Sequence, residues 1–340
     1  MRKILLTGGA GFIGAYCLEM LLQKYPDYYV VNIDKLTYAS DLSRLKKHIK
    51  NPNYHFVLGD ITDVLLVAHL FNQFQFDAVI HIAAESHVDR SIIDPPLFVK
   101  TNIEGTNVLL HAAYTHWFEG PKQVRSNFLH HRFLYISTDE VYGSLSDPID
   151  AFREDAPMAP TNPYSGSKAA AECLVNAYLH SYGLDMVVTR STNNYGIGQH
   201  SEKLIPMVVD RALKGQSIPL HGDGGMIREW LHVTDHVRAI DLVFHQGKSG
   251  HTYNIGSYDR RTNLAVAHMI CKLLDRMKPL AEKSYTALIT FVADRPSQDR
   301  RYALDNRKIS EQLGWKPMIS FQEGLEELVA NYYEQCALRF

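Results

Sequence analysis

The chain has 340 residues, enough for one large α/β domain with a smaller lobe, or for two domains that share a cleft. Hydrophobic residues make up 46% and charged residues 21%, which is typical of a folded globular protein and excludes a disordered one. With 35 basic and 37 acidic residues the formal net charge is -2, so composition gives no electrostatic case for a nucleic-acid or anionic-membrane partner.

The chain opens on a short apolar run, Ile4-Leu5-Leu6, which predicts a first β-strand. This run is too short for a signal sequence or a membrane span. The cysteines show no CxxC spacing, which argues against a disulfide framework or a zinc site; they are Cys17, Cys173, Cys271 and Cys336. We therefore expect a cytoplasmic protein without a bound metal.

Residues 1–190 alternate short apolar runs with longer periodic stretches. The apolar runs predict strands at Lys3–Thr7, Tyr29–Asp34, Tyr54–Leu58, Ala78–Ile82, Phe133–Ser137 and Met186–Arg190. The periodic stretches predict helices at Phe12–Tyr25, Thr62–Phe74, Thr101–His116 and Tyr164–Tyr182. Strands that alternate with helices of this length indicate βαβ units, so we predict an α/β fold with a doubly wound parallel sheet of the Rossmann type.

Residues 191–340 show a looser pattern, which predicts a smaller substrate-binding lobe with some segments returning to the large domain. Further strands are predicted at Ile218–His221, Tyr253–Ile255 and Ile289–Val292, and helices near Lys203–Lys214, Thr234–His245 and Asn263–Asp275. Two late helices have recognisable ends. Asp305 can cap one that ends at Gly314, and Ser320 with Glu323 forms a capping box for the last.

A glycine-rich turn, Gly8–Gly14, follows the first predicted strand and precedes the first predicted helix. Its spacing fits both G-x-G-x-x-G and G-x-x-G-x-x-G. Glycines let a pyrophosphate approach the backbone, and the helix N-terminus supplies free N–H groups and a positive dipole. The alternative, a tight turn without a ligand, is disfavoured because the flanking strand and helix are both in place.

Two acidic residues follow the next two strands. Asp34 ends the second strand, where a carboxylate accepts hydrogen bonds from the adenosine ribose and repels the extra phosphate of NADP. We therefore predict NAD as the cofactor, although the cation of Lys35 weakens the exclusion of NADP. Asp60 has two equally supported interpretations, a contact to adenine or a cap for the helix that follows.

Tyr164 and Lys168 lie four residues apart, which places them on one face of a helix that begins near Asn162-Pro163. An ammonium beside a phenol favours phenolate, so we expect the pKa of Tyr164 to be lowered toward a value useful for a general base. A surface Tyr/Lys pair is the commoner meaning of this spacing. The glycine turn and the Ser137-Thr138 strand end favour the catalytic interpretation.

Together these residues resemble the extended short-chain dehydrogenase/reductase family, and within it the dTDP-glucose 4,6-dehydratases. The similar stretches run in order along nearly the whole chain: Val31–Ala39, His81–Ile92, Ile136–Gly143, Asn162–Ala169, Asn193–Gly196, Glu202–Pro206, Tyr253–Gly256 and Asp299–Tyr302. The resemblance implies a Rossmann fold, NAD, and dTDP-glucose as substrate.

The stretch Thr138-Asp139-Glu140 contains two adjacent acidic residues. By resemblance to the family, a dehydratase has this acid pair and a sugar-nucleotide 4-epimerase does not. Loss of water needs an acid for the leaving hydroxyl and a base for a carbon-bound proton, and two carboxyls of different pKa can divide these tasks. The resemblance implies that Tyr164 is the base for the C4 hydroxyl, Thr138 holds the sugar oxygen, Glu140 removes the C5 proton and Asp139 protonates the C6 hydroxyl.

Other site residues follow from the resemblance alone. Cofactor contacts are expected from Gly8, Gly11, Phe12, Ile13, Gly14, Asp34, Lys35, Leu36, Thr37, Asp60, Ile61, Ala83, Ala84, Thr101, Tyr164, Lys168 and Asn194. Substrate contacts are expected from Ser86, Thr138, Asn193, Lys203, Leu204, Arg228, Asn254 and Arg295. The two arginines suit a diphosphate, because a guanidinium binds two oxygens at once.

The sequence departs from the family pattern near the expected nucleotide and diphosphate, at Ile197, His200, Ser201, Ser297 and Gln298. These positions leave the preference for dTDP over UDP open, so a UDP-sugar 4,6-dehydratase or a nucleotide-sugar 4-epimerase remains the alternative. A non-catalytic NAD-binding regulator is disfavoured, because it has no need of all four catalytic groups. The resemblance also implies a homodimer formed through the helices at Thr101–His116 and Tyr164–Tyr182.

Overall fold

The computed structural model describes residues 1–145, 151–294 and 299–337, with side chains described up to residue 334. Within these residues the strands are β1 (Arg2–Thr7), β2 (Tyr28–Asp34), β3 (Tyr54–Leu58), β4 (Ala78–His81), β5 (Phe118–Gly120), β6 (Gln123–Val124), β7 (Arg132–Thr138), β8 (Met186–Ser191), β9 (Asn193–Tyr195), β10 (Ile218–His221), β11 (Ile227–His232), β12 (Thr252–Ile255), β13 (Arg260–Thr262) and β14 (Ile289–Val292).

The α-helices of the same residues are α1 (Phe12–Lys24), α2 (Val64–Phe74), α3 (Val88–Ile93), α4 (Pro95–Phe98), α5 (Gly105–Trp117), α6 (Pro163–Tyr182), α7 (Leu204–Leu213), α8 (Val233–Gln246), α9 (Asn263–Met277), α10 (Arg307–Leu313) and α11 (Phe321–Ala337). Short 3₁₀ helices occur at Leu42–His48, Ser126–Phe128, Asp139–Tyr142 and Tyr285–Leu288, and a π-helical segment occurs at Val99–Glu104.

The main sheet has the strand order β3-β2-β1-β4-β7-β8-β12, and every neighbouring pair is parallel. The predicted doubly wound parallel sheet is therefore confirmed. The strand order reverses at β1, which has β2 on one side and β4 on the other. In open sheets of this kind the crevice at such a reversal, at the carboxyl ends of the strands, is where ligands bind.

Both faces of this sheet are buried. Leu6 on β1 packs into a core with α1 and α8, while its neighbour Leu5 packs into a second core with α2, α5 and α6. Both leucines are 0% exposed. Because successive residues of a strand point to opposite faces, a sheet covered on both sides needs apolar residues at consecutive positions. This explains why the strands show no strict alternation in the sequence.

The later half of the chain builds a smaller lobe around two further sheets, β13-β11-β9 and β10-β14. Its core contains apolar residues of α7, α9 and α11. Two of its segments return to the large sheet: β12 pairs with β8, and α8 packs against α1. No helix in the described part of the chain is long and apolar enough to cross a membrane.

Several helix ends differ from the sequence prediction. Asp63, not Asp60, caps α2 by accepting a hydrogen bond from Leu66 N, so the interpretation of Asp60 as a cap is wrong. Asp60 instead accepts from Thr62 N at 3.0 Å, within the preceding turn. The helix predicted from Thr101 starts earlier, since α4, the π segment and α5 follow one another from Pro95.

The last two helices follow most of the predicted end signals. The predicted cap of α10 is wrong by one residue, because Asn306 is the N-cap residue, while Asp305 beside it accepts a hydrogen bond from Arg307 N at 2.9 Å. Gly314 ends this helix with φ of +68°, a conformation that favours glycine. The predicted capping box is confirmed, because Ser320 N donates to Glu323 Oε2 at 3.1 Å and Glu323 N donates to Ser320 Oγ at 3.2 Å.

A buried ion pair joins α6 to the main sheet. The guanidinium of Arg190 on β8 donates from Nε to both carboxylate oxygens of Glu172 on α6, at 3.1 and 3.2 Å, and Nη2 also contacts this carboxylate. The Arg190 and Glu172 side chains are 6% and 0% exposed. The same guanidinium lies 4.5 Å from the ring centroid of Tyr142, so it also contacts the segment that follows β7.

Removal of the Glu172 carboxylate should destabilise the protein strongly. Glu172→Ala leaves the Arg190 cation buried without its partner, and we expect a loss of about 3–5 kcal/mol in the free energy of unfolding. Urea denaturation followed by circular dichroism measures this loss. The matched control is Glu311→Ala on the exposed face of α10, expected within about 0.5 kcal/mol of the parent. Equal stabilities of the two variants would contradict the assigned role of the buried pair.

Candidate active site

One cleft opens at the carboxyl ends of the main-sheet strands, where the strand order reverses. Residues that follow β1, β2, β4, β7 and β8 all line it. Its walls include all five predicted catalytic residues: Thr138, Asp139, Glu140, Tyr164 and Lys168. Of the predicted cofactor residues, those that line it are Gly8, Gly11, Phe12, Ile13, Gly14, Asp34, Lys35, Thr37, Ile61, Ala83, Ala84, Thr101, Tyr164, Lys168 and Asn194.

The glycine turn is packed too closely to accept side chains. Gly8 has φ of +76°, and a Cβ built on it would lie 2.8 Å from the backbone of Ala83. A Cβ on Gly14 would lie 2.1 Å from the carbonyl oxygen of Gly8. Among the described residues no side chain caps α1, which begins at Phe12. The first-turn N–H groups of this helix therefore face the cleft in the manner that suits a pyrophosphate.

The Asp34 carboxylate shapes the turn beside it. Its Oδ2 accepts from Ala10 N at 2.9 Å, and its Oδ1 accepts from Leu36 N at 2.8 Å and from Ser40 Oγ at 3.1 Å. The side chain of Leu36, with φ of +57°, packs against the hydrophobic core instead of the cleft. Asp34 thus lies where the adenosine ribose is expected. Leu36 could contact the cofactor only through its backbone.

Lys35 is held by acceptors of the protein itself. Its Nζ donates to Thr101 Oγ1 at 3.0 Å and lies 3.4 Å from Glu85 Oε1 and 3.7 Å from Asp60 Oδ2. Two carboxylates around this ammonium leave the region unsuited to the additional phosphate of NADP. Lys35 therefore does not provide a free cation for the extra phosphate of NADP, and the site fits NAD.

The cleft contains buried polar atoms that have no hydrogen-bond partner among the described residues: Ser137 Oγ, Asp139 Oδ2, Thr192 Oγ1, Asn193 Oδ1, Asn194 Oδ1 and Gln199 Oε1. Buried polar groups in native proteins are nearly always hydrogen-bonded. A cluster of such atoms in one cleft therefore fits a polar ligand with many hydroxyl groups, as a dinucleotide and a sugar both are.

Tyr164 and Lys168 lie in the first turns of α6, which begins as the sequence predicts. Asn162 caps the helix by accepting from Ser165 N at 2.9 Å, and Pro163 is its first residue. Both catalytic side chains are buried on the cleft side of the helix. Lys168 Nζ donates to Ile136 O at 2.7 Å, and burial lowers the pKa of this ammonium to about 7.

The expected lowering of the Tyr164 pKa is wrong for the protein alone. Burial raises the pKa of this phenol above its ordinary value, and the nearby carboxylates of Glu140 and Asp139 raise it further, while a hydrogen bond with Thr138 opposes them. Desolvation prevails because the Lys168 ammonium is directed at a backbone carbonyl. A positive charge bound beside the phenol would oppose this rise.

Asp139 and Glu140 occupy different environments in the same cleft. Burial raises the pKa of Asp139 well above its usual range, and the carboxylates of Glu140 and Glu229 add to the rise. Burial also raises the pKa of Glu140, but the cations of Arg228 and Lys203 oppose it. Asp139 is therefore suited to stay protonated while Glu140 ionises, a division that an acid and a base in one site require.

Thr138 fixes the start of the acid pair. Its Oγ1 accepts from Glu140 N at 3.3 Å and lies 3.2 Å from Asp139 Oδ1. Because Thr138 is the last residue of β7 and the next residues form a 3₁₀ turn, both carboxyls emerge at the strand end, beside α6. The structure therefore brings the acid pair and Tyr164 to one cleft, as the sequence predicts.

The predicted substrate residues divide into two groups. Ser86, Thr138, Asn193 and Lys203 line the cleft. Asn254 is 0% exposed, and it accepts from Tyr142 OH and donates to Phe152 O, both at 2.9 Å, so it supports the wall from behind. Leu204 starts α7 and packs into the core of the smaller lobe.

Arg228 lies beside the acid pair, with its guanidinium held by the protein. It donates to Ile227 O and Asp299 O, both at 2.9 Å, and lies 4.6 Å from the ring centroid of Tyr302. This contact set makes it a source of positive charge for Glu140, a role that the sequence did not indicate. Arg295, Ser297 and Gln298 lie outside the described residues.

Some cleft residues were missed by the sequence prediction, among them Glu85, Gln199 and Glu202. Glu85 follows β4 at the carboxyl edge of the sheet, and this position was the signal that could have identified it. Its backbone N donates to Asn102 Oδ1 at 2.9 Å, and its O accepts from Asn102 Nδ2 at 3.0 Å.

The described residues contain no group of three or more His, Cys, Asp or Glu side chains placed to hold a metal ion.

These features define a dinucleotide-dependent enzyme that also has acid–base groups for elimination. They are the glycine turn at the reversal of strand order in a parallel sheet, the buried Tyr–Lys pair and the acid pair in the same cleft. The family model described as GDP-mannose 4,6 dehydratase matches residues 5–328. The chain belongs to this family.

Relatives within it share the length of the chain. The dTDP-glucose 4,6-dehydratase of Haemophilus influenzae is 48% identical over 335 residues, which cover 98% of each chain. The enzyme of the same name from Escherichia coli is 47% identical over 338 residues, which cover 97% of this chain and 92% of that one. The resemblance to dTDP-glucose 4,6-dehydratases found in the sequence is thereby confirmed.

Solved structures agree with this placement. DesIV, a dTDP-glucose 4,6-dehydratase from Streptomyces venezuelae with NAD and TYD bound, is 40% identical with a TM-score of 0.88, over 99% of this chain and 98% of that one. A UDP-glucose 4-epimerase from Thermus thermophilus in complex with NAD has a TM-score of 0.84 but is 27% identical, over 98% of this chain and 99% of that one. The fold is thus common to both activities, while sequence identity is higher to the dehydratases.

Substitution of Gly14 tests the cofactor turn. In Gly14→Ala the new Cβ would lie 2.1 Å from Gly8 O, so the turn must shift, and we expect NAD to bind roughly ten- to a hundredfold more weakly. Gly166→Ala is the matched control, because its Cβ would meet no described atom within 4 Å and alanine favours a helix interior. Calorimetric titration of cofactor-free protein with NAD measures both affinities. Unchanged binding by Gly14→Ala would contradict the assignment.

Proposed function

We propose that this chain dehydrates dTDP-glucose to dTDP-4-keto-6-deoxyglucose by oxidation at C4, elimination of water across C5 and C6, and re-reduction at C6. The observation that carries the proposal is the convergence of Asp139, Glu140 and Tyr164 in one cleft. A 4-epimerase needs no acid pair beside its tyrosine, so this arrangement supports the dehydratase over the epimerase.

The glycine turn, Asp34 and Lys168 would hold NAD in this cleft, with Lys168 on the nicotinamide ribose. The chemistry that bound NAD supplies is acceptance of the C4 hydrogen as hydride and its return to C6, so that the cofactor is recycled. Burial of Lys168 and its hydrogen bond to Ile136 O fix its position against β7.

The side chains of the chain move the protons. Tyr164 takes the proton of the C4 hydroxyl, which Thr138 orients through its own hydroxyl group. The ketone at C4 then acidifies the C5 hydrogen, which Glu140 removes while Asp139 protonates the departing C6 hydroxyl, and water leaves. Glu140 finally returns its proton to C5. The raised pKa of Asp139 supports its role as the acid, since burial and the neighbouring carboxylates of Glu140 and Glu229 favour its protonated form and outweigh the cation of Arg228.

Incubation with sugar nucleotides tests the reaction and its substrate. With dTDP-glucose we expect a 4-keto-6-deoxy sugar at constant total NAD, identified by mass spectrometry and NMR. UDP-glucose is the comparison substrate, expected to react more slowly, because the relatives that are 47–48% identical to this chain are dTDP-glucose 4,6-dehydratases. Recovery of the galactose epimer alone, without a 4-keto product, would contradict the proposal.

The variant Glu140→Gln separates the first step from elimination. It keeps Tyr164 and Lys168, so oxidation at C4 should persist as a transient absorbance at 340 nm, while water loss slows by roughly a hundred- to ten-thousandfold. Tyr164→Phe is the matched comparison, in which oxidation itself should be lost. Stopped-flow absorbance with product analysis measures both steps. Loss of oxidation in a folded Glu140→Gln variant would contradict the role of Glu140.

We also propose how the rest of the molecule is organised. Residues 1–190 form the NAD-binding domain, and residues 191–340 mainly bind the sugar nucleotide, with α8 and β12 serving the large domain. Lys203, Asn193 and Ser86 would contact the substrate, and Arg228 and Arg295 would favour its diphosphate.

A cytoplasmic homodimer is part of the proposal, with dTDP-glucose as the small-molecule partner and neither a nucleic acid nor a membrane. The apolar side chains of Ile93 and Val99, 83% and 46% exposed, lie in the helical region that packs beside α6 and support a partner at α5 and α6. The described cysteines Cys17, Cys173 and Cys271 are unpaired, which fits a reducing compartment.

A further inference from the structure

Residues 196–203 connect β9 to α7 and cross the rim of the cleft; we call this segment the strap. Its first part lies against the glycine turn and the elements around it. Gly196 packs beside the ring of Phe12, and Ile197 O accepts from Tyr16 OH at 3.0 Å. Arg44 joins the two sides, because its guanidinium donates to Ala10 O in the glycine turn at 3.2 Å and also to Gly198 O in the strap.

In the far part of the strap Lys203 Nζ donates to Ser86 O at 3.1 Å, and the carboxylate of Glu202 contacts two loops at once. Its Oε1 accepts from Tyr38 OH at 3.0 Å, and its Oε2 lies 3.5 Å from Arg90 Nε and 3.8 Å from His87 Nε2. The guanidinium of Arg90 lies 3.4 Å from the ring centroid of Tyr38. The side chain of Glu202 is 17% exposed, so these contacts are partly shielded from water.

These contacts join three loops that leave the sheet separately. Tyr38 follows β2, His87 and Arg90 follow β4, and Glu202 follows β9. The first two loops also contribute cofactor-side walls of the cleft, at Thr37 and Ala83, and the strap contributes Gln199, His200, Glu202 and Lys203. A dinucleotide that left the cleft between these three loops would require them to separate.

We propose that Glu202 fastens the strap over the cofactor, as a positioning residue that keeps NAD in the cleft between the oxidation at C4 and the re-reduction at C6. The purpose rests on the proposed function: a recycled cofactor must stay through the whole reaction, whereas a consumed cofactor must leave in every turnover. Escape of the reduced cofactor after the first step would leave a 4-keto sugar that still has its C6 hydroxyl, with no reductant to complete the reaction.

In the hydrogen bond between Tyr38 and Glu202, the hydroxyl group donates and the carboxylate accepts. Burial and the Glu202 carboxylate both raise the pKa of Tyr38, so its hydroxyl keeps the proton that it donates. A hydrogen bond from a neutral donor to a carboxylate is stronger than one between neutral groups, and the Arg90 cation beside the same carboxylate adds to it. Loss of the negative charge at Glu202 should therefore loosen all three loops together.

The test measures NAD release without any sugar present. Holoenzyme is mixed with excess NAD-free competitor dehydrogenase that traps free cofactor, and the loss of bound NAD is followed over time. Glu202→Gln should release NAD roughly tenfold faster than the parent, and Tyr38→Phe roughly threefold faster. The double variant should fall short of the product of the two effects, because both changes remove the same contact.

The matched control is Glu19→Gln. Glu19 on α1 forms an ion pair with Lys47 on the protein surface, away from the cleft, and its loss should leave NAD release unchanged. With dTDP-glucose, Glu202→Gln should also release reduced cofactor and the C6-hydroxylated 4-keto sugar into solution, which the parent does not.

If Glu202→Gln releases NAD at the parent rate, the proposal is overturned. This holds also when the melting temperature of the variant is lowered, since Glu202 would then be only a structural cross-link. Should Glu202→Gln fail to fold, Tyr38→Phe decides in the same way. Faster NAD release in a protein that dehydrates no sugar nucleotide would support the fastening role while overturning the proposed function, so the two failures are distinguishable.

Discussion

The parallel pairing of β1 with β2 on one side and β4 on the other is the constraint on which the active site depends. Parallel strands end at the same edge, so the turn after β1, the carboxylate after β2 and the alanines after β4 meet without long loops. β7 lies next to β4 and ends at Thr138, which brings the acid pair to the same edge.

Burial gives this edge its chemistry. Asp139, Glu140, Tyr164 and Lys168 would have unexceptional proton affinities in water, but each is shifted here by desolvation. The cations of Arg228 and Lys203 act on Glu140 and leave Asp139 as the more readily protonated carboxyl. The pair of adjacent residues thus acquires two functions from its surroundings. The buried Arg190–Glu172 pair holds α6, which carries Tyr164 and Lys168, against β8, the strand next to β7.

Local patterns were sufficient for much of the fold and part of the site. The strands, the glycine turn and the cap at Asn162 depend on residues close in sequence, and the resemblance supplied the acid pair. One of the two interpretations of Asp60, the cap of α2, was wrong because Asp60 and Asp63 both precede the helix, and only the backbone decides which side chain reaches Leu66 N. The Tyr164 pKa was wrong because sequence spacing contains neither the depth of burial nor the direction of the Lys168 ammonium.

Contacts between distant segments could not be predicted at all. Glu202 and Tyr38 are 164 positions apart, and nothing in either local stretch indicates that they meet. For Asn254 the motif predicted a contact to the substrate. In the structure its side-chain amide instead forms hydrogen bonds with Tyr142 and Phe152 of the protein.

The π segment at Val99–Glu104 has a consequence for how the molecule can vary. One π turn contains about one residue more than an α turn, so the side chains of α5 are rotated by roughly 100° relative to a continuous α-helix from Pro95. Within the π segment itself, Thr101 accepts a hydrogen bond from Lys35, and Asn102 binds the backbone of Glu85 and the hydroxyl of Ser167. The rotation of α5 is therefore tied to a segment that also contacts residues of the cleft wall, so a chain that gained or lost one residue here would turn the buried face of α5 away from its core.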